Sequence, residues 1–128
     1  MANVLFVCVQ NAGRSQLAEA LFLRQAENRH AARSAGSAPA AAVHPNVVEV
    51  MPELAGRVPR KLERADAEWA DVVVTMGCGD ACPFIPGKRY VDWEIDDPTG
   101  QGPEETRRIS DEINRRVGLL LNELAWAA

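Results

Sequence analysis

The sequence predicts an α/β fold of three layers, a mostly parallel four-stranded sheet with helices on both faces. Short apolar runs rich in β-branched residues, Val4 to Val9 and Asp71 to Met76, have the length and content of buried parallel strands. Between such runs the apolar positions shift to a spacing of three or four, the period of a helix. Strand-like and helix-like stretches alternate along the chain, which is the pattern of a parallel sheet covered on both sides.

The elements follow in order. Val4 to Val9 opens the chain as a buried strand. From Ser15, the apolar face of Ala18, Leu21 and Phe22 marks a helix that begins directly after a short loop. His30 to Ala40 reads as a second strand running into a loop of small residues. His44-Pro45 starts a second helix, with Pro45 suited to its first turn. "VVEVM" carries that helix toward Pro52, which ends or kinks it. Leu62 to Trp69 supplies a further helical turn or two, and Asp71 to Met76 a strand. "GCGDACPFIPGK" is loop by its glycine and proline content, "RYVDW" the last strand, and "EIDDPTGQGP" a second long loop. From Glu104 a stripe of Ile109, Ile113, Val117, Leu120, Leu121 and Leu124 predicts a closing helix. Trp69 and Trp93 are expected to pack, Trp93 with a chance to wall the site. Arg107, Arg108, Arg115 and Arg116 are expected on the solvated face of that last helix.

With 128 residues, the chain is expected to form a single domain over 1–128. The formal net charge is −4, which speaks against nucleic acid as a partner. The longest apolar stretches fall far short of the ~20 residues that a membrane span needs. "MANVLF" lacks the basic region and small-residue cleavage site of a secretory signal, so a cytoplasmic protein is expected; a monomer is expected as well. Three cysteines are too few for a disulfide scaffold and point to catalysis, redox chemistry or metal binding.

Cys8-Val9-Gln10-Asn11-Ala12-Gly13-Arg14-Ser15 has the form C-x5-R-S between a strand and a helix. A loop this short can curl so that the N–H groups of Val9 to Ser15 make a nest for a tetrahedral oxyanion. The following helix directs its positive end at the same place. Arg14 can close the ring with a planar fork matched to two oxygens. Gly13 permits a positive φ and Asn11 tolerates one. Ser15 suits a helix cap, and its hydroxyl can hydrogen-bond the sulfur. Such a field favours the thiolate of Cys8, a nucleophile at the floor of an oxyanion cradle. The plainer reading, Cys8 as a small core residue and Arg14 as a surface charge, fits less well with Gly, Asn and Ser between them. A nucleotide-binding Walker loop does not fit, because Arg89 follows Gly87-Lys88 and no glycine precedes at the required spacing.

This loop resembles the active-site loop of the low-molecular-weight protein tyrosine phosphatases and of the arsenate reductases that share their fold. "SAG" at Ser34 to Gly36, "VVVTMGCGDACP", and "DDP" at Asp96 to Pro98 fall in the family's order, so the likeness spans nearly the whole chain. Gln16 after Arg-Ser is similar to the reductases, where phosphatases commonly carry proline. The single Tyr90 also departs from the paired tyrosines of regulatory phosphatases.

The resemblance implies an arsenate reductase with Cys8 as nucleophile and Asp97 as proton donor, Asp96 being the fallback. On a plainer reading "DDPTG" is a solvated turn. Arsenate reduction needs two electrons, and Cys78 and Cys82 are implied as the relay. Cys78 would attack the Cys8 sulfur and expel arsenite, and Cys82 would then take over the disulfide. The substrate is arsenate, with phosphate or sulfate as analogue, and no tightly bound cofactor is implied. The reductant is a thiol donor, either thioredoxin, or mycothiol or glutathione with a glutaredoxin-like or mycoredoxin-like protein. The spacing of Cys78 and Cys82 is shorter than in the thioredoxin-coupled reductases, which leaves that choice open. C-x3-C also falls within zinc-ligand spacing, with His44 or His30 as a third ligand, but no second pair of ligands accompanies it. Asn11, Glu19 and Ser34 match a potassium site of some family members, while Lys61 falls where an acidic ligand would stand. No metal is assigned. A phosphatase, and a protein that binds oxyanions or senses redox state without turnover, are the rival readings.

Overall fold

Side chains of β1 (Asn3–Cys8) alternate between two apolar layers, and the rest of the fold is arranged around that alternation. The computed structural model describes residues 1–77 and 86–127. The roles expected of Cys78 and Cys82 lie outside the described residues.

After β1 come α1 (Arg14–Ala26), β2 (Ala31–Gly36), α2 (Pro45–Val50), a 3-10 turn (Pro52–Leu54), α3 (Arg64–Trp69), β3 (Val72–Thr75), β4 (Arg89–Asp92) and α4 (Pro103–Ala127). The four strands form one parallel sheet in the order β2-β1-β3-β4. Strand order reverses about β1, so the chain leaves its carboxyl end where β2 and β3 diverge, the usual place for a ligand crevice in such sheets.

Val4, Phe6 and Cys8 face one layer, with Leu17, Leu21 and Phe22 of α1, Val47 of α2 and Ile109, Ile113 and Val117 of α4. Leu5 and Val7 face the other, with Val73, Ala70, Leu62 and Trp69. Helices therefore cover both faces, as expected, but unequally: α1, α2 and α4 share one and α3 stands on the other. Phe6 is the centre of the larger layer, its ring 5.6 Å from Phe22 and 5.9 Å from Trp93. Removing such a side chain costs about 3–5 kcal/mol. Trp93 is thus a core residue and does not wall the site, while Trp69 is partly exposed with the Arg33 guanidinium 4.1 Å above its ring.

Two boundaries differ from the sequence pattern for physical reasons. The helix α2 stops at Val50, because Met51 precedes a proline and takes φ −138° and ψ 77°, outside the helical region. The chain then restarts as the separate turn at Pro52–Leu54. Val9 lies beyond the last strand residue, Cys8, and already belongs to the loop. Among the described residues no helix is long and apolar enough to cross a membrane.

Candidate active site: an amide-lined loop over Cys8

The register of β1 places Cys8 opposite Gly36 at the carboxyl edge of the sheet, where it is only 2% exposed. Its sulfur is surrounded by donors. Ser15 Oγ lies 2.9 Å from Cys8 Sγ, and the Asn11 N–H donates to it at 3.3 Å.

The loop's curl follows from where its carbonyls go. Cys8 O accepts from Ser37 N, Val9 O from Ala38 N, Gln10 O from Ala40 N and Ala12 O from His44 N. Asn11 O accepts from Gln16 Nε2 and Gly13 O from Leu17 N. Every loop carbonyl from Cys8 to Gly13 is thereby held by the surrounding scaffold. In a planar trans peptide the next N–H points the opposite way, so the N–H groups of Val9 to Arg14 are turned from those partners toward the loop's inner side. The start of α1 adds its free N–H groups there.

Asn11 has φ 51°, the left-handed conformation that asparagine tolerates. Its side chain is buried and fully engaged: Oδ1 accepts from Gln16 Nε2 at 3.0 Å and from Arg60 N at 2.8 Å, and Nδ2 donates to Ser15 Oγ at 2.7 Å. Two local expectations need correction. Gly13, not Ser15, caps α1, and Ser15 sits inside the first turn with its hydroxyl committed to the sulfur and Asn11. Gly13 has φ −142° and ψ −92°, so the positive φ expected of it is not adopted. A Cβ there would meet Pro98 Cγ at 2.9 Å, so the requirement is close approach of the Asp-Pro loop.

Arg14 is anchored on its outer edge. Its side chain is 14% exposed, Nη1 donates to Ile95 O at 3.0 Å, and Nη2 lies 3.7 Å from Asp97 Oδ2. Gly77 (φ 85°) lets the β3 loop pass close by, since a Cβ there would stand 2.9 Å from Arg14 Nη1. Cys8, Gln10, Gly13, Arg14, His44 and Asp97 line one small pocket.

The two aspartates part company. Asp96 ion-pairs with Arg108 of α4 at 2.7 Å, whereas Asp97 faces Arg14 with its side chain 56% exposed. Asp97 Oδ1 accepts from the Thr99 N–H at 3.0 Å and the Thr99 hydroxyl at 2.7 Å. Burial pulls this carboxyl upward, but the two Thr99 hydrogen bonds and the charges of Arg14 and His44 outweigh it and hold it below the ordinary aspartate range.

Of the residues weighed as metal ligands, His30 lies just before β2, at the opposite edge of the sheet, accepting from Ala2 N through Nδ1. His44 is engaged by Gln10 and Thr99. Glu19 and Ser34 do meet, Ser34 Oγ donating to Glu19 at 2.5 Å, but Arg57 already pairs with Glu19 at 2.8 Å. Asn11 Oδ1 is spent on Gln16 and Arg60. The sequence assigns no role in the cradle to Thr99 or Asn46, and it offers the ring of His44 only as a zinc ligand. Their signal is a position close after Asp97 or on either side of Pro45, and it becomes legible once the loops are folded together.

Residues 3–127 match the family described as low molecular weight phosphotyrosine protein phosphatase. The chain belongs to that family. Within it, a Halobacterium salinarum protein named "Putative arsenate reductase" is 42% identical over 127 residues, covering 92% of this chain and 89% of that one. A Synechocystis protein named "Glutaredoxin arsenate reductase" is 30% identical over 132 residues, covering 98% of this chain and 100% of its own. The solved structure of the thioredoxin-dependent arsenate reductase of Corynebacterium glutamicum superposes with a TM-score of 0.87 at 39% identity, covering all of this chain and 64% of that one. The family's parallel four-stranded α/β architecture is the one described above.

Proposed function

We infer that this phosphatase-family chain is an arsenate reductase. The observation that carries the reading is the Cys8 sulfur, which lies 2.9 Å from the Ser15 hydroxyl and accepts from the Asn11 N–H beneath a loop whose carbonyls all point away. Three of its similar proteins carry the name arsenate reductase, which favours arsenate over a phosphate monoester as the oxyanion.

Arsenate fits the cradle as a tetrahedral anion, its oxygens toward the loop amides and the Arg14 fork. The Cys8 thiolate attacks arsenic, an As–O bond breaks, and the departing oxygen leaves as water after taking a proton from Asp97. In the free protein Asp97 is held ionised by its low proton affinity. A bound oxyanion draws Arg14 toward itself and sets negative charge beside the carboxylate, and both changes raise its affinity for a proton. The proton it delivers therefore arrives with the substrate.

Cys78 then attacks the Cys8 sulfur. The S–As electron pair stays on arsenic, which falls from the +5 to the +3 state and leaves as arsenite, while two thiols become one disulfide. Cys82 attacks Cys78 and frees Cys8 for the next cycle. A thiol reductant closes the cycle. Thioredoxin serves a relay ending at Cys82, and mycothiol or glutathione with its redoxin serves one that resolves Cys8 directly. The same cradle accepts phosphate, so weak hydrolysis of phosphate monoesters is expected beside the main reaction.

Arsenate-dependent consumption of reducing equivalents, and aryl phosphate hydrolysis, are to be measured for wild type and the Cys8→Ser, Cys78→Ser and Cys82→Ser variants. Arsenate turnover lost at Cys8 and Cys78, with hydrolysis lost only at Cys8, is the expected pattern. Hydrolysis without any arsenate turnover makes the protein a phosphatase, and binding without turnover makes it a sensor.

A further inference from the structure

The turn that opens α2 stands between the cradle and the Asp97 loop, and it bonds to both. On the cradle side, the His44 backbone N–H donates to Ala12 O at 3.0 Å, and the ring Nε2 lies 2.9 Å from Gln10 Oε1. On the other side the same Nε2 lies 3.2 Å from Thr99 Oγ1. Two residues on, Asn46 Nδ2 donates to Pro98 O at 2.7 Å and to Thr106 Oγ1 at 3.0 Å.

Counting protons fixes the roles. Thr99 has one hydroxyl proton, and it goes to Asp97 Oδ1 at 2.7 Å. Its oxygen can then only accept from the imidazole. Gln10 Oε1, a carbonyl oxygen, also only accepts. Nε2 must carry a proton and share it between a cradle side chain and the residue that holds Asp97.

We propose that His44 is a positioning residue for proton transfer: its Nε2–H fixes Thr99, and through Thr99 the Asp97 carboxylate, at the mouth of the Cys8 cradle. The proposal rests on the reading of Asp97 as proton donor. Asp97 itself is half exposed and sits in a loop of Pro, Thr and Gly, so without a tether its carboxylate samples positions away from the leaving oxygen. Asn46 holds the backbone at Pro98 O, and Arg14 pairs with the Asp97 carboxylate at 3.7 Å. Among the described residues the His44 ring supplies the contact from outside this loop to Thr99, the residue that orients the carboxylate. The cradle does not depend on that link, because Arg14 hangs on Ile95 O and the loop carbonyls on backbone N–H groups and Gln16. Alanine at position 44 keeps the N–H that holds Ala12 O. Glutamine at position 44 places an amide N–H close to where the imidazole Nε2–H stands.

The experiment measures the single-turnover rate of arsenate reduction and the affinity for sulfate, in wild type, His44→Ala, His44→Gln and Asp97→Asn. Where aryl phosphates are hydrolysed, a series of leaving groups of rising basicity is added. Loss of positioning is expected to slow His44→Ala about tenfold with sulfate affinity within twofold of wild type, and His44→Gln restores most of the rate. The deficit grows with leaving-group basicity and vanishes for the most acidic phenol, as it does for Asp97→Asn. An unchanged rate in His44→Ala overturns the proposal, as does a loss of affinity in proportion to rate. A graded profile for Asp97→Asn with a flat one for His44→Ala overturns it while sparing Asp97. A flat Asp97→Asn profile, with an undiminished arsenate rate, removes Asp97 as donor and the proposal with it.

Discussion

Ser15 Oγ accepts from Asn11 Nδ2 at 2.7 Å and lies 2.9 Å from Cys8 Sγ, so when the sulfur is a thiolate the Ser15 hydroxyl proton is the one that bridges them. A hydrogen bond to a charged group is worth about 1.5–3 kcal/mol. Ser15→Ala should therefore slow arsenate reduction on the order of ten- to a hundredfold while leaving sulfate affinity nearly intact. Steady-state rates beside a sulfate titration check this, and a variant as fast as wild type would mean that the sulfur does not react as an anion.

Gly77 is the point where the β3 loop touches Arg14. Alanine there must adopt φ near 85° and place a methyl about where Arg14 Nη1 requires clearance, 2.9 Å away. The strained backbone costs about 1–3 kcal/mol, and the guanidinium must shift. Gly77→Ala is expected to lower both the thermal midpoint and sulfate affinity. Gly56, also at positive φ, has open space around its Cα and supplies the control: Gly56→Ala should lower stability alone.

Asp66 ties α3 to the back of the cradle. Its carboxylate, 3% exposed, accepts from Arg60 Nη2 at 2.9 Å and pairs with Arg33 at 3.4 Å, while Arg60 N donates to Asn11 Oδ1. Burial pulls its proton affinity upward, but the Arg60 and Glu63 hydrogen bonds and the two arginine charges win and leave it below the ordinary value of 3.8. The unfolded chain therefore binds a proton first as pH falls. The stabilisation is fully present above about pH 4 and is lost as pH drops through the depressed folded value. Asp66→Asn should cost about 1–3 kcal/mol at pH 7, discounted because the arginines are partly exposed. Urea denaturation at pH 7 and at pH 3 should show the wild-type advantage shrinking. An advantage that persists at pH 3 would mean that shape, not charge, is responsible.

Gln16 donates to both Asn11 O and Asn11 Oδ1 from a fully buried position. Gln16→Met keeps the volume and removes both donors, each bond being worth about 0.5–1.5 kcal/mol. The expected result is a lower midpoint together with slower reduction, because Asn11 also orients Ser15. Loss of stability with undiminished rate would confine Gln16 to packing.

Much of this site was legible in the sequence because its chemistry is local. Cys8, Asn11, Arg14 and Ser15 lie within one short loop, and a strand before and a helix after leave little freedom in how that loop curls. The stripe from Ile109 to Leu124 was legible for a similar reason, since its period alone defines a buried face. The positions of Gly77, Thr99 and His44 were not, because their meaning depends on the approach of loops far apart in the chain. Gly13 shows the limit from the other side: the sequence suggests a positive φ there, whereas a side chain at that position would be crowded by Pro98, across the pocket. The same holds for the end of α2, where the residue before Pro52 left the helix earlier than its apolar pattern suggested.

The most direct measurement is mass spectrometry of the fully reduced protein after one equivalent of arsenate, with no external reductant. One arsenite released per chain, with one disulfide formed and Cys8→Ser inert, is the expected result. Three free thiols and untouched arsenate, from a protein that hydrolyses aryl phosphate, would contradict it.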